Sequence, residues 1–136
     1  MASEVAGEMH RGRCLCGAVR YAVSGPLSEV CGCHCTQCRR QTGHFLATTN
    51  VAVADLAIEG EDSVRWYRSS DVAERGFCGT CGSVLFWRRT GTDRIAIAMG
   101  GFEKPTGTHM GGHIFAADKG DYYEIGDGAP VYPADG

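Results

Sequence analysis

Short apolar runs recur along the chain, separated by polar or glycine-rich turns. Most of them show the alternation, or the β-branched and aromatic content, that is typical of strands. The runs lie at 18–24, 45–53, 64–69, 84–89, 94–99 and 113–118. Helical periodicity is confined to 36–43, where Thr36 is a candidate N-cap and Gly43 a candidate stop. The pattern predicts a mainly β protein built from antiparallel sheets.

The length predicts one domain. A chain of 136 residues is long enough to bury a single hydrophobic core, and its 20 glycines suit many turns between short strands. No linker divides it. We therefore expect one zinc-binding β domain over 1–136, with loose ends at 1–10 and 126–136, since the tail has turn-like Gly, Asp and Pro spacing.

Charge and hydropathy exclude two classes of partner. The formal net charge is -3, whereas nucleic-acid binders usually present a clustered basic face. No apolar run approaches the roughly 18 residues that a membrane-spanning helix needs. The start has no basic stretch followed by an apolar one, so a secretory signal is not predicted. We expect a soluble, cytoplasmic protein that binds neither nucleic acid nor membrane, with its oligomeric state left open.

Eight cysteines form three clusters. Disulfides are disfavoured, because a cytosolic chain of this size is kept reduced and does not need them. A thioredoxin-like motif would require βαβ surroundings, which the pattern lacks. Metal ligation is the favoured interpretation. The clusters are CxC at 14 and 16, CxCxCxxC at 31–38, and CxxC at 78 and 81.

The first and third clusters together predict a closed structural zinc site. In an extended strand Cys14 and Cys16 point to the same side. Cys78 and Cys81 flank a tight turn, in which glycines let backbone N–H groups point at the sulfurs. Four thiolates at about 2.3 Å complete a tetrahedral shell. We expect these four residues to be required for folding.

The second cluster predicts a zinc with an open position. Cys33 and Cys35 share a face, and Cys38 follows in CxxC spacing. Three protein ligands are typical of catalytic zinc, whose fourth position takes water or a substrate thiol. Cys31 leaves three alternatives: a fourth ligand that closes the site, a thiol near the substrate, or an ordinary buried residue. A second structural zinc is the non-catalytic interpretation of the cluster.

Histidines and arginines near the second cluster are weaker candidates. His34 should face away from the metal of its neighbours, and His44 and His113 are possible acid–base groups. For His113 the favoured interpretation is a packed residue whose side chain is hydrogen-bonded to backbone. Arg39 and Arg40 can pair with the carboxylate of an acidic thiol, or serve as solvated charges beside an anionic site.

Three motifs, GRCLCGAVRY, CHCTQCRRQTG and FCGTCGSVLF, together with HIF, resemble the glutathione-dependent formaldehyde-activating enzyme family, which includes centromere protein V relatives. The resemblance implies a compact Mss4-like, or β-tent, domain with two zinc ions. By motif position it assigns the structural zinc to Cys14, Cys16, Cys78 and Cys81, and the catalytic zinc to Cys33, Cys35 and Cys38.

The activity that this resemblance implies is the joining of glutathione to formaldehyde, a carbon–sulfur lyase or synthase reaction that gives S-(hydroxymethyl)glutathione. The predicted partners are therefore a small-molecule thiol and a small aldehyde. The alternative function is a non-catalytic binding module in which both zinc ions are structural.

Overall fold

The computed structural model describes residues 8–136, which form ten β-strands, one α-helix and four 3-10 turns at 53–55, 61–63, 99–101 and 116–118. The helix α1 is Thr36–Thr42. The strands are β1 Met9–Arg13, β2 Arg20–Ser24, β3 Val30–Cys33, β4 Leu46–Ala52, β5 Leu56–Glu59, β6 Val64–Arg68, β7 Ala73–Cys78, β8 Val84–Arg89, β9 Arg94–Ala98 and β10 Met110–Ile114.

The strands form two sheets, which confirms the predicted mainly β class. A three-stranded sheet has the order β1-β2-β5, and a seven-stranded sheet has the order β10-β3-β4-β9-β8-β7-β6. The strand pairs are antiparallel, as predicted, except at one edge, where β10 pairs with β3 in parallel. A long connection separates these two strands along the chain, and such a connection leaves either direction open.

The core is built from both sheets. Alternate residues of β1 and β2 are buried, as expected for strands with one covered face. Tyr21 of β2 packs edge-to-face on Phe86 of β8 and on Phe102, with ring centroids 5.7 and 5.3 Å apart. Cys14 and Cys78 belong to the same buried cluster. One cysteine group therefore lies at the margin of the core.

The six predicted strands all overlap observed ones, with one displaced. The run at 113–118 contains only the end of β10, and its last three residues form a 3-10 turn. Four strands have no predicted counterpart: β1, β3, β5 and β7. No helix within residues 8–136 combines the length and hydropathy needed to cross a membrane.

The helix matches its predicted bounds but not its predicted N-cap. Gly43 ends α1 in the left-handed conformation, at φ 86°, as expected. The N-cap is Cys35 rather than Thr36, because the Cys35 sulfur accepts a hydrogen bond from the backbone N–H of Cys38. A cysteine of the second predicted site thus also begins the helix.

At both ends that are predicted to be loose, the described residues form backbone contacts. Met9 and His10 belong to β1, and residues 1–7 lie outside the described part of the chain. In the tail, Tyr132 donates its backbone N–H to the His113 carbonyl, and Phe115 donates to the Ala134 carbonyl. These hydrogen bonds satisfy backbone groups along β10 and just after it.

Candidate metal centres

The structure brings together the four cysteines of the first predicted site. Their sulfurs lie within 4.8 Å of one another, and two of the separations are 3.7 Å, for Cys14 and Cys16, and 3.9 Å, for Cys16 and Cys78. Four sulfurs bound at about 2.3 Å to a tetrahedral ion stand about 3.8 Å apart. The group Cys14, Cys16, Cys78 and Cys81 therefore fits a zinc ion, and it can hold a metal.

Backbone turns, rather than strand alternation, orient these four sulfurs toward one another. Cys14 and Cys16 lie in the loop between β1 and β2, so the expectation that both sit in a strand is wrong. Gly17 bends this loop with a φ of 83°, which only glycine adopts readily. The Val19 N–H then donates to the Cys14 sulfur at 3.3 Å.

The CxxC turn at the other half of the first group has the predicted backbone arrangement. The Cys81 N–H donates to the Cys78 sulfur at 3.5 Å, and Gly82 has a φ of 82°. The Ser83 hydroxyl, 3.2 Å from the Cys81 sulfur, and nearby backbone N–H groups lower the pKa of the Cys81 thiol to about 5. These donors favour the thiolate that a metal requires.

The second group contains three sulfurs within 4.8 Å of one another, those of Cys33, Cys35 and Cys38. Cys33 ends β3, Cys35 caps α1, and Cys38 lies in its first turn. The Cys38 N–H donates to the Cys35 sulfur at 3.4 Å, which repeats the CxxC contact of the first group. The three side chains can hold a metal ion.

Cys31 lies outside this three-sulfur group. It is half-buried on β3, and burial raises the pKa of its thiol. Among the described residues, the group thus contains three cysteine sulfurs where the first group contains four. This difference matches the ligand counts typical of catalytic and structural zinc.

The pKa values of two thiols in the second group are shifted in opposite directions. A hydrogen bond from Cys33 and the guanidinium of Arg75 lower the pKa of the Cys38 thiol to about 6. The adjacent Cys38 sulfur and burial raise the pKa of Cys33. Thiolates this close repel one another, so a cation is what allows all three to ionise. The donor set suits zinc, a borderline-soft ion that readily takes thiolates.

A buried histidine network lies beside the second group. His34 is 1% exposed, and its ring bonds to the Tyr123 hydroxyl at 2.6 Å and to His113 at 2.8 Å. His113 also bonds to the Asp127 carboxylate at 2.8 Å. The side chain of His113 therefore pairs with side chains and not with backbone. Tyr123 and Asp127 carry no spacing signal in the sequence, and Asp127 lies in the tail predicted to be loose.

The other predicted polar residues lie on or near α1. Arg39 donates to the Asp118 carbonyl at 3.1 Å, which ties α1 to the segment after β10. His44 is exposed and contacts the Tyr122 hydroxyl. Arg40 lines an open groove of about 340 Å³ with Gln37, Gln41, Tyr67, Ser69 and Arg75. The groove has two cationic side chains and no carboxylate in its lining.

Comparisons with known proteins agree with this architecture. A family model described as glutathione-dependent formaldehyde-activating enzyme matches residues 9–118. A protein of Schizosaccharomyces pombe, named as an uncharacterized lyase, is 26% identical over 128 residues, which cover 93% of this chain and 92% of the relative. A Rhodobacter sphaeroides protein of known crystal structure shares the fold, with a TM-score of 0.60 and 22% identity over 74% of this chain and 98% of that chain.

The family match spans both cysteine groups, and it confirms the resemblance read from the three cysteine motifs. The chain belongs to the glutathione-dependent formaldehyde-activating enzyme family.

Proposed function

We propose that this protein is a zinc-dependent carbon–sulfur lyase that joins a glutathione-like thiol to a small aldehyde such as formaldehyde. The family and the lyase-named relative support an enzyme of lyase type. The observation that carries the proposal is the difference between the two cysteine groups, four sulfurs in one and three in the other. An incomplete protein shell leaves room for a reactant.

In this proposal Cys33, Cys35 and Cys38 hold the catalytic zinc, and Cys14, Cys16, Cys78 and Cys81 hold the structural one. A zinc ion held by these three sulfurs would supply Lewis-acid stabilisation of an incoming thiol as its thiolate. Cys33 and Cys35 are both partly exposed, which suits access from solvent.

The bond changes are simple. The substrate sulfur forms a bond to the aldehyde carbon, the carbonyl π bond breaks, and the proton given up by the thiol is matched by one gained at the new hydroxyl. No oxidant or reductant is consumed. The protein's contribution is to place the thiol and the aldehyde together, which lowers the entropic part of the barrier.

Arg40 is the residue we assign to recognition of the thiol's carboxylate. It is exposed, lines the groove beside α1, and has no carboxylate neighbour in that lining. A guanidinium pairs well with a carboxylate through parallel hydrogen bonds. Arg39 is less suited, because its Nε already donates to the Asp118 carbonyl.

The test is the rate at which glutathione and formaldehyde interconvert with their adduct at equilibrium, measured by exchange NMR with zinc-loaded protein. We expect faster exchange with the wild type and with Cys31→Ser, a matched cysteine outside the group, and no acceleration with Cys33→Ser. Equal rates for the wild type and Cys33→Ser would contradict the proposal. A wild type that binds two zinc ions without accelerating exchange would favour the binding-module alternative.

A further inference from the structure

Arg75 is a buried cation without a carboxylate partner. Its side chain is 5% exposed, and no carboxylate among residues 8–136 forms an ion pair with it. Within the same described residues its Nε also has no hydrogen-bond acceptor. A buried charge is costly unless an opposite charge lies nearby. The position of Arg75 therefore requires an anion close to its guanidinium.

The contacts of Arg75 identify that anion. Its Nη1 donates to the Cys38 sulfur at 3.4 Å and to the Gln41 side-chain oxygen at 2.9 Å. Its Nη2 donates to the Gln37 side-chain oxygen at 3.2 Å. The two amides are neutral, so the Cys38 sulfur is the one partner among these three that can carry negative charge.

The backbone holds Arg75 in place independently of these contacts. Arg75 lies in β7, opposite Tyr67 of β6 and Trp87 of β8. Pairing on both sides fixes the strand, and burial limits the choice of rotamers. The guanidinium is thus presented to α1 as a preorganised positive charge.

Three thiolates and one divalent ion carry a net charge of -1, and one guanidinium brings the sum to zero. Attraction between these charges is stronger in a buried site than in water. We propose that Arg75 is the counter-charge of the Cys33, Cys35 and Cys38 group, a positioning residue that determines how tightly this group retains its metal. In this role it acts through Cys38.

This inference requires that the three-sulfur group bind a divalent cation, and it does not require the lyase reaction. A failure of either can therefore be recognised separately. Metal retention is measured in the absence of thiol and aldehyde, whereas the proposed function is measured by exchange between them.

The experiment is competition for zinc between the loaded protein and a chromogenic chelator. Cys33→Ser identifies the phase that belongs to the three-sulfur group. Replacing groups that orient metal ligands typically lowers metal affinity by about 10- to 100-fold. We expect Arg75→Gln to lower the affinity of the three-sulfur group by such a factor and to leave the four-sulfur group unchanged.

Two further variants separate charge from shape. Arg75→Lys keeps the charge and should recover part of the lost affinity. Arg88→Gln is the matched control, because Arg88 lies on the neighbouring strand and pairs with Glu74 rather than with a cysteine; zinc affinity should not change. An unchanged affinity in Arg75→Gln, or a loss just as large in Arg75→Lys, overturns the proposal.

A third variant keeps the proposal testable if Arg75→Gln does not fold. Gln41 is half-buried on α1, and Gln41→Glu places a carboxylate where the amide oxygen now accepts from Arg75. That carboxylate should form an ion pair with the Arg75 guanidinium and so reduce its attraction to the Cys38 sulfur. Zinc binding should then weaken at the three-sulfur group alone. If zinc affinity in Gln41→Glu equals that of the wild type, the counter-charge role is refuted.

Discussion

Replacing Cys78 by serine should unfold the protein, whereas replacing Cys33 should not. The two changes are chemically identical, and each removes one sulfur from one group. Cys78 is fully buried within the core cluster, and its group links the β1–β2 loop to the turn between β7 and β8. Cys33 is half-buried, and its group links only the end of β3 to the start of α1.

The expected difference follows from the length of chain that each group closes. Cys16 and Cys78 are 62 positions apart, and a cross-link over such a loop stabilises a fold by about 4 kcal/mol through restriction of the unfolded chain. A cross-link over about five residues contributes about 2 kcal/mol by the same relation. Domains of this kind are stable by about 5 to 15 kcal/mol in total, so the first loss removes a large share.

The assay is urea unfolding followed by far-UV circular dichroism, with zinc content measured on the same samples. We expect Cys33→Ser to retain one zinc ion and a cooperative transition near that of the wild type. Cys78→Ser should show no folded baseline, or a free energy of unfolding lower by about 4 kcal/mol. Cys31→Ser controls for the loss of a thiol alone. Equal destabilisation by the changes at 33 and 78 would refute the division between a structural and a local group.

Three further changes test single features of the molecule. Gly60→Ala should lower the free energy of unfolding by about 1 to 3 kcal/mol, because φ is 80° and the new methyl group would meet the β1–β2 loop. Gly25→Ala is the control, since Gly25 also has a positive φ but lies in open space, and it should lower the free energy of unfolding by less in the same urea assay. Arg40→Gln should raise KM about 5-fold for a thiol that carries a carboxylate, as expected for loss of about 1 kcal/mol at an exposed ion pair, and should not change KM for its amide. The hydrogen bond from His113 lowers the pKa of Asp127. The ionised Asp127 therefore contributes its full stabilisation above the ordinary carboxyl pKa, and this contribution is lost as pH falls through the lowered pKa. The difference in free energy of unfolding between the wild type and Asp127→Asn should shrink over that acidic range.

The features that the sequence predicts well are those that depend on close neighbours along the chain. Alternation in Arg20–Ser24 indicates one covered sheet face, and CxxC spacing determines the contact of a backbone N–H with a sulfur. These patterns are enough for the mainly β class and for both cysteine groups. They also identified the family, because the motifs occur in a characteristic order.

The features that the sequence misses depend on partners far away along the chain. Strand β7, with the sequence AERGFC, shows neither alternation nor high β-propensity, because Arg75 is buried against α1 and Gly76 lies under the ring of Trp66. The parallel pairing of β10 and the hydrogen bonds between β10 and the tail likewise depend on contacts that no local pattern encodes.

The amino-acid sequence by itself determined the class of fold, the family and the seven cysteines that form two groups, since local spacing marks the sulfurs within each motif that can bind one ion and the order of the motifs is characteristic of the family. Only the tertiary structure decided that Cys31 is excluded from the second group and that Arg75 lies against it. The physical reason is that a buried charge and its partner are chosen by which strands become neighbours, and sheet order is set by the packing of the whole domain.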